Sequence, residues 1–287
     1  ATALPAGPPP IPGFELTKEL GQGPLGAVYV GRQGPERTPV AVRVIRPAAG
    51  VSLDDIDRFR AEVRRLEQLR HPTIVHLAGG GVAGPRVYVV TELVPGPNTQ
   101  ILVQGRGPMA ERAAVLIVTR ALEGLAHAHT NGYVHGDVKP SNILVGTYGK
   151  KRRAKLADFG LRRAFHAAGL GGPALIGELG QSLAYLAPER LTHVREMTPA
   201  ADQYSAAATL YHLLTGHAPY DLPPNSARAI AKILGDDPVP VRQRQADVSE
   251  ELAAAVHQAL SLDPAARFPD VGAFRQALLD GQGVSRV

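Results

Sequence analysis

The sequence predicts an α+β fold in two parts: a β-rich N-terminal part carrying one helix, then a mainly helical C-terminal part. Three observations predict it. Between Phe14 and Ile45 the apolar residues alternate or cluster in short β-branched runs broken by glycine. One amphipathic helical pattern follows Ser52. Beyond Pro95-Gly96-Pro97 the apolar spacing lengthens to helical periods over roughly 109–130, 199–215 and 249–260. At 287 residues, 44% hydrophobic and 20% charged, the chain is long enough for a large core or two smaller ones, which excludes a disordered tail or a disulfide-stapled miniprotein.

Residues 1–12 hold five prolines (Pro5, Pro8, Pro9, Pro10, Pro12) and read as a linker, because proline sustains neither a ladder nor a helix. Ala27-Val28-Tyr29-Val30 and Val40-Ala41-Val42-Arg43-Val44-Ile45 read as consecutive antiparallel strands. Ser52 with Asp55 three positions on signals a helix start, and Ile56, Phe59, Val63, Leu66 and Leu69 recur at helical spacing. Arg86 to Val94 is strand-like again. The first part therefore spans 13–94, a connector 95–98, the helical part 99–280 and a tail 281–287. Within the helical part, Thr198-Pro199 is a helix start and Gly216 a stop.

The chain has no cysteine, which excludes a disulfide framework, a thiolate zinc site and a cysteine nucleophile, and points to the cytosolic side. The net charge of +5 is spread along the chain, so no nucleic-acid partner is expected. The apolar stretch Ala113 to Val118 is cut short by Arg120 and Glu123, and no basic, then apolar leader opens the chain. The expectation is a soluble cytoplasmic domain, standing alone or as the cytosolic part of a larger or membrane-anchored protein. Lys150-Lys151-Arg152-Arg153 falls between two short strands and reads as a solvated hairpin tip. His127, His129 and His135 match no metal-binding spacing, so no structural zinc is assigned.

Three constellations carry chemistry. In Gly21-Gln22-Gly23-Pro24-Leu25-Gly26, positions without side chains let backbone amides approach an anion, although an ordinary glycine-rich hairpin looks the same. Arg43 shares a strand face with Ala41 and Ile45, and Glu62 lies beside the helix's apolar stripe. An inward carboxylate needs a cation, and Arg43 is the candidate; the alternative leaves Glu62 in water at the edge of the stripe. The densest run is His135-Gly136-Asp137-Val138-Lys139-Pro140-Ser141-Asn142, followed by Asp158-Phe159-Gly160. There Asp137 is suited to take a hydroxyl proton and Lys139 to steady a transferring phosphoryl group. Asn142 and Asp158 are suited to hold Mg²⁺ through hard oxygens.

With these motifs in order, and with Ala187-Pro188-Glu189, Asp202 and Arg267 beyond them, the sequence from Phe14 to Phe274 resembles the protein-kinase family. It is most similar to bacterial eukaryotic-like (Hanks-type) serine/threonine kinases. The resemblance implies a two-lobed kinase fold, a β-rich N-lobe with one regulatory helix and a mainly helical C-lobe, with ATP and Mg²⁺ as cofactors. It implies that Gly21, Gly23 and Gly26 cover the phosphates, and that Arg43, in the place of the family's strand lysine, pairs with Glu62. Val28, Ala41 and Leu144 would sandwich adenine, Thr91 would be the gatekeeper, and Glu92 to Val94 the hinge. Leu66, Leu77, His135 and Phe159 would stack as a spine. Asp137 would be the base and Lys139 the phosphate stabiliser, with Asn142 and Asp158 on the metal. Lys139 in Asp-x-Lys-x-x-Asn resembles the serine/threonine class. Glu189 should pair with Arg267, and Asp202 should hold the catalytic loop from below.

Three departures touch phosphate handling. Arginine at 43 is longer, planar and forked, so the exchange is not conservative. Pro24 removes a backbone donor from the phosphate loop. Gly136 stands where the family has the arginine that receives a phosphorylated activation loop. Between Leu161 and Leu186 only Ser182 and Tyr185 carry hydroxyls, so a switch by phosphorylation of that loop is not expected, and Ser182 resembles the family's substrate-site threonine. The reading is an attenuated transfer of the γ-phosphoryl group of Mg-ATP to protein serine or threonine. The alternative is a pseudokinase scaffold. A small-molecule phosphotransferase is disfavoured by Ala187-Pro188-Glu189 and Arg267. The implied partners are a protein substrate or signalling partner, and a homodimer is compatible with the reading.

Overall fold

The computed structural model of the chain describes residues 8–23, 26–45, 52–167, 169, 182–192 and 197–281. The expectation for Pro24 falls outside the described residues. In chain order the strands are β1 (Phe14–Gly23), β2 (Gly26–Gln33), β3 (Thr38–Ile45), β4 (Leu77–Ala83), β5 (Arg86–Glu92), β6 (Ile143–Tyr148) and β7 (Lys151–Leu156). The helices are α1 (Leu53–Leu66), α2 (Thr99–Arg106), α3 (Glu111–Thr130), α4 (Leu161–Ala167), α5 (Glu189–Thr192), α6 (Pro199–Thr215), α7 (Ser226–Gly235), α8 (Val241–Arg244), α9 (Glu250–Ala259) and α10 (Val271–Asp280). They belong to two compact units, one within Ala1–Arg70, Val75–Val94 and Leu161–Leu179, the other within His71–Ile74, Pro95–Gly160 and Gly180–Val287. Among the described residues no helix is long and apolar enough to cross a membrane.

In the first unit an antiparallel sheet runs in the order β1-β2-β3-β5-β4. The alternation in β3 buries Val40, Val42 and Val44 on one face with Val90 and Ala83, against Phe14, Tyr29 and Tyr88. On the opposite face the register sets Val28 against Arg43, Val30 against Ala41, and Ala41 against Thr91. Gly26 is required by this pairing. Its φ is +92°, and a Cβ there would lie 2.1 Å from the carbonyl oxygen of Val44. Strand β4 carries no alternation signal, because Gly79, Gly80 and Gly81 fill its middle; a Cβ on Gly80 would lie 2.7 Å from the Tyr88 carbonyl oxygen.

Helix α1 starts at the predicted capping box. The Ser52 hydroxyl accepts from the Asp55 amide (3.2 Å) and the Asp55 carboxylate accepts from the Ser52 amide (3.0 Å). The Ser52 hydroxyl also donates to the Asp55 carboxylate (2.7 Å), and this bond, with that of the Ser52 amide, holds the Asp55 carboxyl below the usual carboxylate range. Phe59, Val63 and Leu66 form its buried stripe. Helix α4 corrects the sequence boundary: it lies within 99–280 by sequence but packs in the first unit. The cause is an aromatic contact, the Phe165 ring stacked on Phe59 at 5.4 Å and 22°.

In the second unit α3 packs against α6 and α10. Helix α6 opens with the Thr198 hydroxyl accepting from the Ala201 amide (3.3 Å) and Pro199 in the first turn, and ends at Gly216 with φ +76°. Every residue from Ala201 to Thr215 is buried, so the helix is the axis around which the others pack. Strands β6 and β7 form the hairpin expected around Lys150, paired from Ile143 with Leu156 to Tyr148 with Lys151.

Candidate active site

The run from His135 to Asn142 folds into a loop ending in a short 3-10 turn, Pro140–Asn142, whose first position takes proline without losing a needed donor. Its backbone is held from two sides. Asp202, 1% exposed on α6, accepts from the amides of His135 (2.8 Å) and Gly136 (2.8 Å). His129 Nε2 lies 2.9 Å from the same carboxylate, a third donor that the sequence did not single out. From the other side Thr99, the first residue of α2, donates its hydroxyl to the Pro140 carbonyl (2.7 Å).

His135 joins the loop to the segment before Asp158. Its Nδ1 accepts from the Asp137 amide (3.1 Å), so Nε2 carries the hydrogen and donates to the Ala157 carbonyl (2.9 Å). The ring also meets Phe159 edge-on at 4.7 Å, as the spine expectation requires within this unit. Ala157 donates to the Asn142 carbonyl (2.7 Å), fixing both ends of its peptide. Asp158 follows with φ +59°, a left-handed conformation that a non-glycine residue adopts only where its surroundings hold it.

At the centre stands Asp137. Its Oδ1 accepts the Ser182 hydroxyl (2.9 Å), and its Oδ2 lies 2.7 Å from Lys139 Nζ. Lys139 also donates to the Ser182 oxygen (2.9 Å). Asn142 Nδ2 donates to the Asp137 carbonyl (2.8 Å) and to Oδ2 (3.1 Å), which assigns the amide orientation and turns Asn142 Oδ1 away from Asp137. The arrangement presents a carboxylate to a hydroxyl hydrogen, an ammonium beside both, and a hard amide oxygen next to them. Ser182 is 3% exposed, and Tyr185 beside it is buried, which pushes its phenol up to about 12. The two hydroxyls of the 161–186 segment are thus both enclosed.

Gly136 has φ +75°, and a Cβ on it would lie 2.8 Å from the Met197 sulfur. The methionine end can move, but the left-handed backbone cannot be relieved without disturbing the two amides held by Asp202. Gly136→Ala is therefore expected to cost about 1–2 kcal/mol, read from denaturant unfolding. A cost near zero would show that this backbone is relaxed.

In the first unit Val28, Ala41, Arg43 and Thr91 share one sheet face through the register already given. Gly21 and Gly23 have open space where a Cβ would stand, unlike Gly26. Glu92 is tied to His76 twice, its amide donating to the His76 carbonyl (2.9 Å) and its carboxylate accepting the His76 amide (2.9 Å). Val94 is buried there, while in the second unit Leu144 is half-buried on β6. One pairing differs from expectation. Glu62 faces Arg65 at 3.7 Å and Arg163 at 3.9 Å, and Arg43 is not its partner. The reason is local: Phe165 anchors α4 on α1, which brings Arg163 to the half-buried carboxylate.

Farther down the second unit, Arg267 makes a two-pronged pair with Glu189 (2.7 and 2.8 Å), with its guanidinium 5.0 Å above the Tyr204 ring. Gln203 clamps the neighbouring backbone, donating to the Phe268 carbonyl (3.1 Å) and accepting its amide (3.0 Å). Single side-chain clamps of this kind have no sequence signal.

Comparison with known proteins agrees with this geometry. Residues 14–278 match the family described as protein kinase domain. The chain is 34% identical over 271 residues to the serine/threonine-protein kinase PknB of Mycolicibacterium smegmatis, covering 93% of this chain and 42% of that protein. It is 35% identical over 258 residues to PknL of Mycobacterium tuberculosis, covering 90% of this chain and 62% of that protein. The chain thus spans less than two thirds of these relatives' length. Among solved structures, the PknI kinase domain of Mycobacterium tuberculosis superposes with a TM-score of 0.73 at 24% identity, over 97% of this chain and 100% of that one. Rad53 residues 1–466 in complex with AMP-PNP superposes with a TM-score of 0.76 at 25% identity, over 95% of this chain and 66% of that one. The two-lobed kinase fold, with its five-stranded antiparallel sheet and its helical part, is shared with them. The chain belongs to the protein kinase domain family.

Proposed function

We propose that the chain transfers the γ-phosphoryl group of Mg-ATP to serine or threonine hydroxyls of proteins, at a rate reduced by Arg43. The observation that supports this most is the Ser182–Asp137–Lys139 arrangement, in which a hydroxyl hydrogen already points at Asp137 Oδ1 at 2.9 Å. A substrate hydroxyl presented to the same oxygen gives up its proton to Asp137 as its own oxygen bonds to phosphorus and the nucleoside diphosphate leaves. Lys139 offsets the negative charge that develops on the transferred group.

The residues present fit the two implied cofactors. Asn142 Oδ1, freed by the orientation of its amide, and the Asp158 carboxylate are hard oxygen ligands suited to Mg²⁺. The face bearing Val28, Ala41 and Thr91 is suited to an adenine ring, with Glu92 to Val94 at and beyond the end of the strand that carries Thr91, and Gly21 and Gly23 leave room for phosphates. Mg-ATP, when bound, supplies the phosphoryl group and a cation that neutralises its charge. Arg43 keeps the positive charge of the family's lysine in a different shape.

The test is phosphate incorporation from Mg-ATP into a generic basic serine/threonine peptide. The parent chain is expected to exceed the Asp137→Asn blank, and Arg43→Lys to raise the rate by about 10–10²-fold, as restored placement of the phosphates allows. Equal rates for parent and Arg43→Lys would show that arginine is tolerated at this position. A scaffold reading is favoured by one observation, that Glu62 is engaged by Arg163. Silence in all three proteins, each folded and each with a melting temperature raised by nucleotide, would select that reading.

A further inference from the structure

In the second unit, away from Asp137, a hollow of about 440 Å³ opens between the end of α2, the start of α3 and the β6–β7 hairpin. Leu102, Met109, Ala113, Leu116, Ile117 and Val145 line it. Its size falls in the range of roughly 300–1,000 Å³ typical of ligand pockets, enough for more than one side chain. Leu116 on its wall is 47% exposed.

The rim is basic. Arg106 closes the last turn of α2, and Arg152 shares a hairpin face with Val145 and Ala154 by the strand register. Among the described residues neither Arg106 nor Arg152 is in an ion pair. Arg153, which also borders the hollow, lies over the Tyr148 ring at 5.7 Å, and Lys150 and Lys151 are exposed at the hairpin turn. The run that reads in sequence as a solvated hairpin tip is exposed throughout, and its Arg152 and Arg153 also border the hollow.

We propose that this hollow docks an acidic peptide segment of a partner protein, with an aliphatic or aromatic side chain of that segment as its anchor. The apolar lining takes the anchor, and the two unengaged guanidinium forks bind carboxylates beside it. A bilayer is disfavoured as the occupant, because membrane contacts use protruding apolar side chains, whereas these residues line a concavity. The carboxylate contacts lie on the rim, so they set specificity and association rate and weaken as salt rises.

The experiment is selection from a displayed random-peptide library on the whole chain, then fluorescence polarisation with the selected peptides. The expected result is peptides that combine acidic residues with leucine, isoleucine or an aromatic residue. Their binding should weaken by at least about tenfold with Arg106→Glu/Arg152→Glu, and again with Ala113→Phe, which fills the hollow from an exposed helix position. Both variants are to keep the parent melting temperature. Selected peptides without an acidic and apolar pattern, or binding indifferent to both variants, would overturn the proposal. So would absence of peptide binding together with sedimentation on phosphatidylserine vesicles that the charge variant abolishes, since this would assign the surface to lipid.

Discussion

Asp137→Asn is expected to lower phosphoryl transfer by about 10²–10⁴-fold, the usual contribution of a general base, while leaving the fold in place. The two halves of that expectation come from the same geometry. Asparagine fills the space of aspartate, and its oxygen can still accept from Lys139 and from Asn142 Nδ2, which meet Oδ2 at 2.7 and 3.1 Å. Its amide group then faces Ser182, whose hydroxyl can turn round and accept. The Ser182 hydroxyl hydrogen loses its acceptor in this exchange, so a stability loss of about 1–3 kcal/mol accompanies the fall in rate and is measured separately from it. Phosphate incorporation and calorimetry on the same preparation check both halves. A variant within threefold of the parent rate would remove Asp137 from the role of base.

Glu189→Ala has the largest expected effect on stability. The Arg267 side chain is 0% exposed, and besides Glu189 it donates to the carbonyls of Ser261 (2.9 Å) and Ala200 (2.9 Å). Removing the carboxylate leaves a buried cation with partial dipoles and no counter-charge, which costs about 3–5 kcal/mol. The melting temperature should fall by on the order of 10 °C. The charge cannot be shed to relieve the cost, because a guanidinium does not deprotonate in proteins. Tyr204 beneath it offers no anion either, since burial raises its phenol well above its ordinary value. Glu189→Ala/Arg267→Met, with both charges gone, should cost less than the sum of the two single changes, a non-additivity read from their double-mutant cycle. A loss below about 1 kcal/mol for Glu189→Ala would mean that water reaches the arginine.

How much could be read in advance depends on how local each signal is. The capping box at Ser52 and Asp55, the Thr198-Pro199 start and the Gly216 stop are each contained within a few residues, and the structure has them all. Residues 135–142 place a carboxylate, a cation and an amide within one loop, so their closeness needed only their order. Strand β4 was hidden, because three glycines carry no alternation. Helices α7 and α10 went unplaced although Asn225 and Asp270 cap them through the amides of Arg228 (3.0 Å) and Ala273 (2.8 Å), since such caps also occur in ordinary turns. The Glu62 pairing failed for a different reason. Periodicity showed that the carboxylate stood at the stripe's edge, but the choice between Arg43 and Arg163 was made by the Phe59–Phe165 stack, a tertiary contact.

The hold of Asp202 on the loop also bears on the order of biosynthesis. The amides of His135 and Gly136 find their acceptor 67 and 66 positions later in the chain. A ribosome that has released everything through Asn142 has therefore made residues 135–142 without the group that fixes their backbone. Closing so long a loop is entropically slow, and it waits for α6 to emerge and pack. The nascent chain thus carries residues 135–142 well before it carries the carboxylate that holds them in place.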